Sequence, residues 1–213
     1  NFQMIEIMHT IEHQDPKIQL TQGQKTSGHD DPAHKGAIRA AIIGPVSSGR
    51  KEQATMLANK YCVCHLTPEE MLDKEIASGS ELGKIVQEYK KYRITVPEKV
   101  MMKVLENNLE RPECNHGYLF DGFPRTLQEA KDVDEVLEKH HLPLDAVIEL
   151  NKGRKWIFDK VFTPREQVGQ HYSHIGLRAQ IDANKPFSEV IQKVDQVFDN
   201  YVKHHQTELE STM

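Results

Sequence analysis

The nine residues GPVSSGRKE, from Gly44 to Glu52, carry the spacing of a phosphate-binding loop. Such a loop uses glycines so that backbone N–H groups can close around phosphate oxygens. It adds a lysine that reaches the terminal phosphates and a hydroxyl that helps to hold Mg²⁺. The G-x-x-x-x-G frame is present as Gly44 and Gly49, with Ser47 and Ser48 inside it. The residue after the frame is Arg50, which keeps the positive charge but is planar and aimed differently from a lysine. Lys51 and Glu52 then stand where a small residue and a hydroxyl are expected. The frame alone is a weak signal for nucleotide binding. A second stretch, DGFPR from Asp121 to Arg125, follows an apolar run just as the loop does.

The positions of both stretches depend on the elements around them. Short apolar strands are predicted at 38–43 (IRAAII), 62–66 (CVCHL), 117–121 (GYLFD), 145–150 (DAVIEL) and 177–182 (LRAQID). Helical spacing of apolar residues fills most of the intervals. A helix runs from about Arg50 to Tyr61. TPEEMLDKEIASG follows with Thr67 as N-cap and Glu70 three positions on. SELGKIVQEYKKY and VPEKVMMKVLENNLE are the next two, then a helix over about Leu127–His140, and an amphipathic one from Phe187 to about Val202. Alternating strands and helices predict an α/β fold, a doubly wound five-stranded parallel sheet covered on both faces. Ligands of such sheets sit beyond the C-terminal strand ends, the edge onto which the 44–51 and 121–125 segments both emerge.

Residues 2–12 (FQMIEIMHTIE) read as a short amphipathic docking helix, 13–36 as a polar linker, 37–203 as the main domain and 204–213 as a frayed tail. The formal net charge of -5, with no Lys/Arg block, argues against a nucleic-acid partner. No apolar run approaches membrane-spanning length, and NFQMIEIMHT lacks the basic-then-apolar order of a secretory signal. The first residue is Asn, consistent with a piece of a longer chain. The three cysteines, an odd and sparse set, fit a reducing, cytoplasmic compartment better than a disulfide framework. Cys62-x-Cys64 has no second Cys/His pair at metal spacing, so no metal site is expected.

From Ile38 to Leu150 the chain resembles the adenylate kinase family of nucleoside monophosphate kinases. The resemblance rests on AAIIGPVSSGRKEQATMLANKY, HLTPEEMLDKEIASGSELGKIVQEYKK, VPEKV and GYLFDGFPRTLQEA in that order, with IDAN before the last helix. D-G-F-P-R-T after a strand is the most specific part. It implies an adenylate-kinase-like P-loop fold with a small helical insertion over the AMP site, Mg·ATP as cofactor and AMP as second nucleotide. It also implies catalytic roles for Arg50, Asp121 and Arg125, and nucleotide contacts from Gly44, Ser47, Ser48, Gly49, Lys51, Glu52, Val96, Gly122, Phe123 and Glu129.

Measured against that family pattern, the departures are informative. Arg50, Lys51 and Glu52 replace the family's Lys, Gly and Thr, and exposure of Glu52 on a helix surface is its plain reading. Pro68 replaces a Thr that contacts AMP, Asp73 an Arg that binds the AMP phosphate, and Glu129 a Gln that reads the adenine edge. An ionised Glu only accepts hydrogen bonds, whereas Gln also donates. For Arg125 the plain structural reading is an ion pair with a neighbouring carboxylate. The 26 residues from 151 to 176 leave no room for a lid between their two short helices. The expectation is therefore a catalytically impaired domain acting as scaffold or nucleotide sensor in a larger assembly, with other protein subunits docking through the first helix. Family analogy places such assemblies in the cytoskeleton or cilium. The alternative is an active ATP:AMP phosphotransferase.

Overall fold

The computed structural model describes residues 38–153 and 163–211, with side chains described up to Tyr201. These all lie in the second of two compact units, Ala33–Met213. The docking helix and linker expected at 1–36 lie outside the described residues.

Five strands, β1 (Ile38–Ile43), β2 (Cys64–Leu66), β3 (Gly117–Asp121), β4 (Ala146–Asn151) and β5 (Arg178–Asp182), form one sheet. Their order is β2-β3-β1-β4-β5, and every pairing is parallel. The helices are α1 (Arg50–Tyr61), α2 (Pro68–Ala77), α3 (Glu81–Lys91), α4 (Glu98–Leu109), α5 (Leu127–Lys139), α6 (Pro164–His174) and α7 (Phe187–Ser211). The strands carry apolar residues on both faces because both are covered. Ile38, Ala40 and Ile42 of β1 pack with Ala54 and Leu57 of α1 and Val190, Val194 and Phe198 of α7. Ala41 and Ile43 face the opposite way, into a larger cluster built with α2 to α6. Fully burying one such side chain contributes about 1.5–3 kcal/mol before conformational entropy is counted.

Helix starts follow the expected chemistry. Thr67, Ser80 and Thr126 each accept a hydrogen bond from the backbone N–H three residues on. Thr163 and Glu166 form a reciprocal capping box at α6. Three elements differ from expectation. β2 begins at Cys64, because Cys62 takes a left-handed conformation that closes α1. α7 runs on to Ser211, past the predicted end near Val202 and through most of the segment read as a tail. Among the described residues of the β4–β5 connection there is one helix, α6, and no lid subdomain.

The cysteine expectation is corrected. Cys64 and Cys114 are joined by a disulfide, and Cys62 is the free, exposed one. The cause is tertiary: the 3-10 turn Pro112–Cys114 that leads into β3 lies beside the edge strand β2, with the two Cα atoms 4.7 Å apart. A separation of 50 residues hides that neighbourhood in the sequence.

Candidate functional site

β1 and β3 are neighbours with Ile42 in register with Asp121, so the loop after β1 and the end of β3 meet at one sheet edge. The loop turns through a 3-10 segment, Val46–Ser48, and ends in Gly49 with φ 74°, a left-handed conformation suited to glycine. The loop runs directly into the first turn of α1, and a helix N-terminus favours an anion. Ser47 is exposed, whereas Ser48 is buried and its hydroxyl donates to Pro45 O at 2.6 Å, inside the loop. Gly44 is pressed against β4: a Cβ there would lie 2.8 Å from Leu150 O. Lys51 and Glu52 are exposed on the first turn of α1.

Arg50 does not point freely into the loop. Its Nε donates to Asp121 Oδ1 at 2.6 Å and its Nη1 to the Gly44 carbonyl at 2.9 Å. The guanidinium lies flat on Gly122, where an added Cβ would sit 2.5 Å from Cζ. Gly122 is therefore required twice, for its φ of 69° and for this contact. Asp121 is 2% exposed, and its second oxygen is engaged by His65 Nε2 at 3.2 Å. Burial raises the Asp121 pKa, but hydrogen bonds from His65 and Arg50 and their charges outweigh it, so the carboxyl titrates below its ordinary range. The result is a closed Arg50–Asp121–His65 cluster across the mouth of the loop.

On the other side of β3 a pocket of about 320 Å³ opens under α2, α3 and the start of α4. Its floor includes Leu72, Val86, Val96, Met101 and the buried Phe123, and Arg125 and Glu129 stand on its rim. Arg125 Nη2 donates to Glu69 Oε1 at 3.0 Å. The ion pair expected as its plain reading is thus present, between two exposed side chains. Glu129 Oε2 accepts the Arg125 backbone N–H at 2.6 Å, so part of its acceptor capacity is spent on the turn into α5. Asp73 pairs with Lys90. The structure thus divides the predicted residues between two sites: Gly44, Ser47, Ser48, Gly49, Arg50, Lys51, Glu52, Asp121 and Gly122 at the loop, and Val96, Phe123, Arg125 and Glu129 at the pocket.

The model of the adenylate kinase family matches residues 42–210. The chain belongs to the adenylate kinase family. It is 29% identical over 170 residues to an adenylate kinase of Caldanaerobacter subterraneus subsp. tengcongensis, covering 78% of this chain and 77% of that protein. It is 39% identical over 112 residues to adenylate kinase 2 of Schistosoma mansoni, covering 53% and 47% respectively. An adenylate kinase of Kosmotoga olearia is 30% identical over 143 residues, 66% of each chain.

Membership in the adenylate kinase family raises the question whether these residues fit Mg·ATP. The loop keeps the two glycines, Gly44 and Gly49, on which a phosphate-wrapping backbone depends. The side chains do not fit its metal: both Asp121 oxygens are occupied by Arg50 and His65, and an exposed carboxylate, Glu52, replaces the hydroxyl.

Three groups escaped the sequence reading. His65 is a partner of Asp121 only because β2 lies beside β3. Glu149, near the end of β4, is 2% exposed and pairs with Arg178 at 2.6 Å, yet burial raises its pKa despite that arginine. Arg93 lines the pocket with φ 55°. A basic residue directly after an apolar helical stripe was the only signal for it.

Proposed function

We propose that this domain binds adenine nucleotides in the adenylate kinase cleft but is impaired in phosphoryl transfer, and that it acts as a nucleotide-sensing module. The observation that carries this reading is the Arg50 guanidinium, bound to Asp121 and the Gly44 carbonyl across the loop. Phosphoryl transfer depends on positioned positive charge that stays available to the transferring group. Here Arg50 at the loop is neutralised by a buried carboxylate, and Arg125 at the pocket is paired with the exposed Glu69. A phosphate entering the loop competes with Asp121 for Arg50, so binding is coupled to release of Asp121. That coupling suits a sensor better than a catalyst. The shortened β4–β5 connection supports the same reading, because poor exclusion of water favours hydrolysis over transfer.

The test is ADP formation from ATP and AMP with Mg²⁺, run beside an Arg125→Ala variant, together with a melting scan in ATP. Equal, near-zero rates and a rise in Tm are expected; at 100 times Kd the bound state gains about 2.7 kcal/mol. Turnover that vanishes in the variant makes this an active ATP:AMP phosphotransferase, the reading favoured by the intact Asp121–Arg125 segment. No ATP-induced shift leaves a protein scaffold in place of a sensor.

A further inference from the structure

The strand that carries His65 is short and paired on one side only. β2 is three residues long, lies at the edge of the sheet and pairs with β3 alone: Cys64 with Tyr118, His65 with Leu119 and Leu66 with Phe120. Side chains alternate along a strand, so its two faces do different things. Cys64 and Leu66 enter the larger core cluster. His65 faces the other way, where its Nε2 lies 3.2 Å from Asp121 Oδ2.

The Cys64–Cys114 bond fixes the first of these faces. It ties the first residue of β2 to the 3-10 turn Pro112–Cys114, which leads into β3. With the bond intact, the neighbour of His65 is held covalently to the segment entering the strand that ends in Asp121. Without it, β2 is held by a three-residue ladder and two buried side chains, and local opening is easiest where such contacts are few. Asp121 gives one oxygen to Arg50 and the other to His65. A donor on one oxygen offsets part of the charge felt at the other, so His65 weakens the hold of Asp121 on Arg50.

Resting on the nucleotide-binding reading, we propose that Cys64–Cys114 is a redox latch on the phosphate loop. The oxidised bond keeps His65 on Asp121. Its reduction frees His65, leaves Asp121 to Arg50 alone and weakens binding of the nucleotide phosphates. The reductant is a dithiol. Its first thiolate attacks one cysteine sulfur and expels the other as a thiolate, and its second thiolate breaks the mixed disulfide. Two electrons pass to the protein, the dithiol leaves as a cyclic disulfide, and its two protons end on Cys64 and Cys114.

The test uses the full chain in a Cys62→Ser background, so that the exposed free thiol cannot exchange. Alkylation and mass spectrometry establish the state of Cys64 and Cys114 before and after dithiothreitol. The His65 ring resonances, assigned with His65→Ala and recorded without nucleotide, are expected to shift on reduction. ATP affinity by calorimetric titration is expected to fall about 5-fold, the order of one hydrogen bond. Cys114→Ser, which leaves the sequence of β2 unaltered, is expected to match the reduced protein in both readouts. His65→Ala is expected to bind ATP at the reduced level in either redox state, whereas a merely stabilising disulfide keeps its full effect in that variant. Unmoved His65 resonances, an undiminished redox effect in His65→Ala or an oxidised-level affinity in Cys114→Ser each overturns the proposal, as do thiols at 64 and 114 that oxidation does not join. ATP affinity equal in both redox states also overturns it and leaves the nucleotide-sensing reading standing; ATP bound in neither state removes both.

Discussion

Replacing Arg50 by methionine tests the closed cluster at the loop. At the observed 2.6 Å and an effective dielectric of ~20, the Arg50–Asp121 attraction is roughly 6 kcal/mol gross. Desolvation of Asp121, 2% exposed, opposes it. Removing one partner of such a pair leaves a buried charge, so Arg50→Met is expected to cost about 3 kcal/mol. For a domain of this size that lowers Tm by about 6–12 °C. Asp121→Asn alone is expected to cost less, and the double variant less than the sum, with a coupling of about 2 kcal/mol in a double-mutant cycle read by urea denaturation. The pH dependence follows from the lowered Asp121 pKa. The stability that Asp121 contributes is present above the unfolded carboxyl pKa and is lost as pH falls through the folded value. In Arg50→Met that folded value moves upward, so acid unfolding begins at higher pH. A coupling below about 0.5 kcal/mol would mean that Arg50 does not close on Asp121, and the argument for impaired catalysis would fall with it.

Gly122→Ala is expected to displace the Arg50 guanidinium, since the new Cβ would lie 2.5 Å from Cζ and φ is 69°. A loss of about 1–3 kcal/mol in thermal unfolding checks this, and unchanged stability would contradict the contact. ATP affinity measured in EDTA and in Mg²⁺ is expected to agree within about 3-fold, because the Asp121 oxygens are already occupied; a large gain with Mg²⁺ would show a working metal site. Glu106 of α4 pairs with Lys103 on its own helix and with Lys139 of α5; burial raises its pKa, but the two lysines outweigh this and bring it down to about 2. Its contribution is lost as pH falls from about 4.5 towards 2. Because both lysines are exposed, Glu106→Gln is expected to cost only about 1 kcal/mol at neutral pH, with a flatter acid limb.

Much of the architecture was legible in the sequence for local reasons. IRAAII and GYLFD became β1 and β3 at the predicted bounds, because short apolar runs between turn signals have few other places in a covered sheet. Thr67 and Glu70 announced the start of α2, because an N-cap is made within one turn. The order of motifs from Gly44 to Arg125 determined the family. What the sequence could not contain was the state of each charge. Whether Arg50 faces a phosphate or a carboxylate depends on β3 lying beside β1, and the role of His65 depends on β2 lying beside β3. The disulfide depends on a turn 50 residues away reaching an edge strand. Glu69, Asp73, Glu98 and Glu129 are, in the sequence, four unconnected acidic residues, two of which (Asp73 and Glu129) depart from the family pattern. In the structure three of them hold particular partners, and Arg93 is left without one among the described residues. Spacing along a chain sets which residues can share a helix face or a strand. The charge that meets a given charge is set by how the sheet orders its strands, and that was decided only by the tertiary structure.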